Sequence, residues 1–106
     1  MRILFDQGTP APLRHSLIGH GVETAFELGW ATFQNGALLA AAEAAGFEVF
    51  VTTDRNLKYQ QNLDARSISI VVLSTTSWPR IQLAVAEVVA AIESAVPGGY
   101  LEVLVK

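Results

Sequence analysis

The sequence predicts an α/β fold, with a mainly parallel sheet of about five strands and helices on both faces. Short β-branched or aromatic runs recur as RILF (2–5), VFV (49–51), SISIVVLS (67–74) and YLEVLV (100–105). Runs of this type suit buried strands. Between them lie helix-like segments that end at glycine or proline. Strands and helices alternate from one end of the chain to the other, the pattern of βαβ units in a three-layer α/β/α sandwich.

The first strand ends at Asp6. In QGTPAPLRHSLIG, Thr9 is expected to cap a helix that has Pro10 at its first position. Gly19 should stop that helix in a left-handed turn, before a short strand around residues 22–25. Residues 29–33 read as a loop. Asn35 is expected to cap the alanine-rich helix GALLAAAEAAG, which Gly46 closes. A strand at VFVTT precedes a short helix in RNLKYQQNL (55–63). Residues 67–74 form another central strand, nearly continuous in apolar residues. WPRIQLAVAEVVAAIESAV (78–96) is predicted as one long helix with Pro79 in its first turn and Pro97–Gly98–Gly99 after its end. The alternation in YLEVLV marks an edge strand.

The 106 residues suffice for one domain and not for two. With 51% apolar and 16% charged residues, the chain can fill a core and does not read as disordered. The absence of cysteine excludes disulfides and thiolate zinc sites and suits the cytoplasm. The apolar run in MRILFDQG is too short for a signal peptide, and Glu43 and Glu87 interrupt the longer stretches, so no membrane span is expected. A net charge of −3 argues against a general nucleic-acid binder. Because the basic residues are scattered, any contact with nucleic acid must be local, short or metal-assisted.

In open parallel sheets, ligands bind outside the carboxyl ends of the strands. Asp6 and Asp54 both fall at such ends. Two carboxylates about 4 Å apart repel by roughly 4 kcal/mol at an effective dielectric of 20, and a divalent cation relieves that repulsion. Mg²⁺ takes oxygen ligands and keeps several waters, so one or two carboxylates suffice. Taken singly, Asp54 reads as a helix cap and Asp6 as a turn residue. Their shared end of the sheet favours function.

Glu27, in AFELGW, is the next candidate, against the alternative of a solvated loop carboxylate. Glu23, Glu43, Asp64, Glu87, Glu93 and Glu102 are expected on solvated faces, and His15 and His20 on the surface without metal-ligand spacing. No Gly-rich phosphate loop or G-x-S-x-G elbow occurs.

The order LFDQ, ELGW, LLAAAEAAGF and VTTDRNL resembles the small bacterial PIN-like proteins, relatives of the VapC-type toxin nucleases. The resemblance covers about two-thirds of the chain and then loosens. It implies a metal-dependent ribonuclease with acids at the carboxyl ends of a parallel sheet. Asp6 and Asp54 then match two of the family's acids, and Glu27 falls near its glutamate. Together they would serve as Mg²⁺ or Mn²⁺ ligands in catalysis. The relatives usually carry an aspartate where this chain has Asn35, and the lost charge should weaken metal binding. Thr53, Arg55 and Asn56 are close enough in sequence to help position a phosphate or a carboxylate. Trp30 and Trp78 offer faces that can stack on an unpaired base, although packing is the commoner use of tryptophan.

The implied substrate is single-stranded RNA. The implied partners are a cognate antitoxin and a second copy of the chain. A homodimer would also account for the apolar circumference of residues 81–96. One alternative is a PIN-like module that binds without cutting. Another is a receiver-type phosphoacceptor domain with Asp54 as acceptor and Asp6, Ser74 or Thr75, and Lys106 around it.

Overall fold

The computed structural model describes every residue except Gln61 and Asp64, together with the backbone but not the side chain of Gln60. The expected charge at Asp64 therefore lies outside the described residues. Five strands form one all-parallel sheet: β1 (Arg2–Phe5), β2 (Gly21–Thr24), β3 (Val49–Thr52), β4 (Ser69–Leu73) and β5 (Tyr100–Val103). Their order across the sheet is β2-β1-β3-β4-β5, with β2 and β5 at the edges. The edge position expected for the last strand holds. It is half-exposed along its length, whereas β3 and β4 are buried at every position. A strand covered on both faces has no reason to alternate, which is why 49–52 and 69–73 carry almost continuous apolar runs.

The helices comprise a 3-10 helix at Ala11–Ser16, α1 (Asn35–Ala44), α2 (Leu57–Gln60), α3 (Trp78–Leu83) and α4 (Val85–Glu93). On one face of the sheet, Ile3, Phe5, Val49, Val51, Val71 and Leu73 pack with Leu13, Ile81, Val88 and Ile92 of the 3-10 helix, α3 and α4. On the other face, Leu4, Phe50, Ile70 and Val72 pack with Leu38, Leu39 and Ala42 of α1 and Leu57 of α2. Successive strand residues thus feed opposite cores, as period-two geometry requires. The three layers follow. The Cα radius of gyration is 12.4 Å, close to the ~13 Å of one compact domain of about 100 residues. No helix among the described residues is long and apolar enough to cross a membrane.

Gly19 and Gly46 adopt φ of +84° and +85° and close their segments as expected. Three local expectations fail. Thr9 does not cap the 3-10 helix. Pro10 occupies that position, and no side chain bonds the helix end. Asn35 does not cap α1 either, because it lies inside the helix and Gln34 precedes it. The predicted long helix is broken at Ala84, whose φ of −108° and ψ of 18° leave the helical region. Alanine is the best helix former, so the break is a tertiary choice: α3 lies on the 3-10 helix, and α4 spans the 3-10 helix, β4 and β5.

Two residues expected on the solvated surface, Glu43 and His20, are instead partly buried and engaged. Glu43 accepts from Arg66 Nη1 at 2.7 Å, from the Ser67 amide and hydroxyl at 2.7 and 2.9 Å, and from the Ile68 amide at 3.4 Å. Burial pushes its carboxyl up, but these donors outweigh burial and hold it at about 2. His20 bridges the Met1 amine and the Glu93 carboxylate.

Candidate functional site

Strands β1 and β3 are neighbours in parallel register, with Phe5 opposite Val51. The chain leaves β1 for β2 on one side and later returns to β3 on the other. The crevice between their carboxyl ends is therefore the switch point of the sheet, where open α/β sheets bind ligands. Asp6 directly follows β1, and Asp54 lies two residues beyond β3. Both stand at this crevice.

A single hydroxyl joins the Asp6 side chain to the Asp54 backbone. Thr52, fully buried at the end of β3, donates to Asp6 Oδ2 at 2.5 Å and accepts from the Asp54 amide at 3.0 Å. The other oxygen of Asp6 accepts from the Thr9 amide at 3.0 Å and lies 2.7 Å from the Thr9 hydroxyl. That hydroxyl is also 2.9 Å from the Val51 carbonyl, and its one proton can serve only one acceptor at a time. The need to serve Asp6 and Val51 explains why Thr9 is buried and not free to cap a helix. Burial raises the pKa of Asp6, partly offset by the bonds from Thr52, Thr9 and Gly8. All these donors are neutral. The carboxylate is desolvated, and among the described residues no cationic side chain bonds it, a high-energy arrangement when it is ionised.

Asp54 divides its oxygens differently. Oδ1 accepts from the Asn56 amide at 2.9 Å, a local turn of the kind expected before a short helix. Oδ2 accepts from the Asn35 side-chain amide at 2.9 Å. The structure thus brings Asn35 to Asp54, and Asp54 to the crevice where Asp6 stands. Thr53 joins the same neighbourhood. A Cβ on Gly8 would collide with its hydroxyl, so glycine lets the β1 loop approach the β3 loop. Arg55 and the Asn56 side chain are exposed, and Arg55 lines a separate recess with Ser74 and Glu102.

Glu27 is engaged by Arg14 and by its own turn. Both its oxygens take the Arg14 guanidinium, with Arg14 Nη1 at 3.2 Å from Oε2. The Thr24 amide donates to Oε1 at 2.9 Å, and the Glu27 amide donates back to the Thr24 hydroxyl at 3.1 Å. This reciprocal pair is a capping box, and the spacing Thr24–Ala25–Phe26–Glu27 was its legible signal. Arg14 and the turn hold the carboxyl of Glu27 at about 2. Among the described residues, no three His, Cys, Asp or Glu side chains gather as a metal-binding group.

Asp6 and Asp54 are the carboxylates at this end of the sheet that could hold a hard cation, with waters completing its shell. The Asn35 amide, turned over, would present its carbonyl oxygen in place of its nitrogen. Of the residues the phosphoacceptor alternative would use, Ser74 Oγ accepts from the Val105 amide at 2.8 Å, and Thr75 Oγ1 from the Ser77 amide at 3.1 Å. Lys106 contributes a backbone carbonyl to Arg80 Nε at 3.1 Å.

Sequence reasoning missed Thr52, Thr9 and Gly8. Thr52 was the one visible in principle, as a hydroxyl inside an otherwise apolar strand, where a buried polar group needs a partner. Comparison with protein-family models, with curated proteins and with solved structures gives no match in any of the three.

Proposed function

We propose that this domain is a metal-dependent ribonuclease of the PIN-like kind, acting on single-stranded RNA, with a two-carboxylate cation site weakened by Asn35. The observation that carries the reading is that one buried hydroxyl bonds both the Asp6 carboxylate and the Asp54 backbone amide, which sets the two residues at the switch point. Asp6 and Asp54 would hold Mg²⁺ or Mn²⁺, and Thr52 and Thr9 keep Asp6 oriented. When bound, the cation supplies Lewis-acid polarisation of the scissile phosphate and acidification of the attacking water. Glu27 enters the site only if Arg14 releases it. On this reading the protein works in the cytoplasm as the toxin of a toxin–antitoxin pair. Exposed Ile18 and Leu83 offer apolar surface to a second copy or to the antitoxin. Light scattering tests the dimer, and a strict monomer removes it.

The hydrogen bond from Asn35 to Asp54 favours a second reading, a domain that binds RNA without cutting it. Cleavage of single-stranded RNA with Mn²⁺, abolished in Asp6→Asn, supports the nuclease. Equal cleavage by wild type and variant marks a contaminant and counts against it. Calorimetry without heat on Mn²⁺ addition favours the silent module.

A further inference from the structure

Beside Asp6 opens a cleft of about 600 Å³, whose walls include Gly8, Thr24, Phe26, Thr76 and Trp78. We propose that this cleft takes one unpaired base of single-stranded RNA, between Phe26 and Trp78, next to the carboxylate of Asp6. The proposal rests on the ribonuclease reading for the identity of the ligand.

Four observations carry it. Phe26 is 77% exposed, and its large apolar ring adds nothing to either core. Its turn is nevertheless held firmly, by the Thr24–Glu27 capping box and by Arg14 on Glu27. A presented, preorganised aromatic ring is the element from which stacking platforms are built. Trp78 faces the same cleft while part of it packs on the core, so it too is anchored. The two tryptophans thereby separate: Trp30 is spent on Phe33 and Phe47, with ring centroids 6.1 and 6.2 Å away.

Charge decides the kind of ligand contact. The cleft has no lysine or arginine in its lining. Nearby Arg14 is committed to Glu27, and Arg80 donates to the carbonyls of Val105 and Lys106. Phosphate neutralisation, the usual source of RNA affinity, is therefore weak here, and stacking has to supply the attraction. Stacking is sequence-tolerant, because every base has a π-face.

The full chain carrying Trp30→Phe leaves Trp78 as the sole tryptophan. In EDTA, titration with a six-nucleotide oligoadenylate should quench its fluorescence saturably. Phe26→Ala, at an exposed position, should weaken binding about 5- to 150-fold, the equivalent of one lost stacking contact. Log affinity should fall against log salt with a slope shallower than about −1, where a site neutralising Z phosphates gives about −0.7Z. Unchanged fluorescence, equal affinity in Phe26→Ala, or a steep salt slope overturns the proposal. Mn²⁺ calorimetry on the same protein tests the carboxylate pair separately. Oligonucleotide binding without Mn²⁺ binding keeps the cleft and removes the metal site, and Mn²⁺ binding without quenching does the reverse.

Discussion

Replacing Asn35 by aspartate converts a donor into an acceptor at the point where the candidate site is short of charge. The Asn35 amide nitrogen stands 2.9 Å from Asp54 Oδ2. Two carboxylates held at that separation would repel by about 6 kcal/mol at an effective dielectric of 20. The pair has a cheaper escape. Retaining one proton at pH 7 on a group with an ordinary pKa near 4 costs about 4 kcal/mol, which sets a ceiling on the destabilisation. A carboxylate in the first turn of α1 recovers about 0.3–1 kcal/mol from the helix dipole, and partial exposure of both residues lowers the figure further. The expected loss in EDTA at pH 7 is therefore about 2–3 kcal/mol, or roughly 10 °C in melting temperature for a domain of this size. Two conditions should reverse it. Lowering the pH to about 4 supplies the proton, and millimolar Mn²⁺ supplies the counter-charge, stabilising the variant more than the wild type. Thermal melts of both proteins across pH, with EDTA or Mn²⁺, make the test. A variant that melts with the wild type at pH 7 and ignores Mn²⁺ would refute both the Asn35–Asp54 contact and the cation site.

Thr52→Val keeps the shape of a buried residue but removes the hydroxyl shared by Asp6 and the Asp54 amide. It should cost about 1–3 kcal/mol in urea unfolding and lower Mn²⁺ affinity, and an unchanged midpoint would count against the bridge. Glu27→Gln should leave Mn²⁺ affinity within about twofold while weakening oligonucleotide binding, because Glu27 positions the Phe26 turn and its carboxylate is taken by Arg14. The opposite pattern in calorimetry and fluorescence would restore Glu27 to the metal site. Glu43 has its pKa lowered from 4.5 to about 2, so its stabilisation is present above pH 4.5 and disappears as pH falls toward 2. Glu43→Gln should lose about 1–2 kcal/mol at pH 7, after discounting for solvent screening, and match the wild type near pH 2. Parallel pH-stability curves would show that the Glu43 donors contribute nothing.

Legibility followed the range of the interactions involved. Strand identity rested on residue type within four or five positions, so all five strands of the sheet were readable, as were the glycine stops at 19 and 46. Asp6 and Asp54 were readable as candidates because each directly follows an apolar run. The helix break at Ala84 was not, since a local sequence of good helix formers gave no reason to stop. Thr9 and Asn35 both look like helix caps because their side chains can serve a backbone amide nearby. In the folded chain each is drawn to a carboxylate instead, Thr9 to Asp6 and Asn35 to Asp54.

The sequence by itself determined the alternation of strand and helix, hence the layered parallel sheet, because burial on both faces imprints continuous apolar runs on the central strands. Only tertiary structure decided that β3 lies beside β1, which places residues 48 positions apart in the chain at one crevice. It also decided that a buried threonine links the Asp6 carboxylate to the Asp54 backbone amide, that Asn35 meets Asp54, and that Arg14 engages Glu27. Each is a contact between segments whose separation in the chain carries no signal of their distance in space. Pairing of charges and hydroxyls depends on that distance alone.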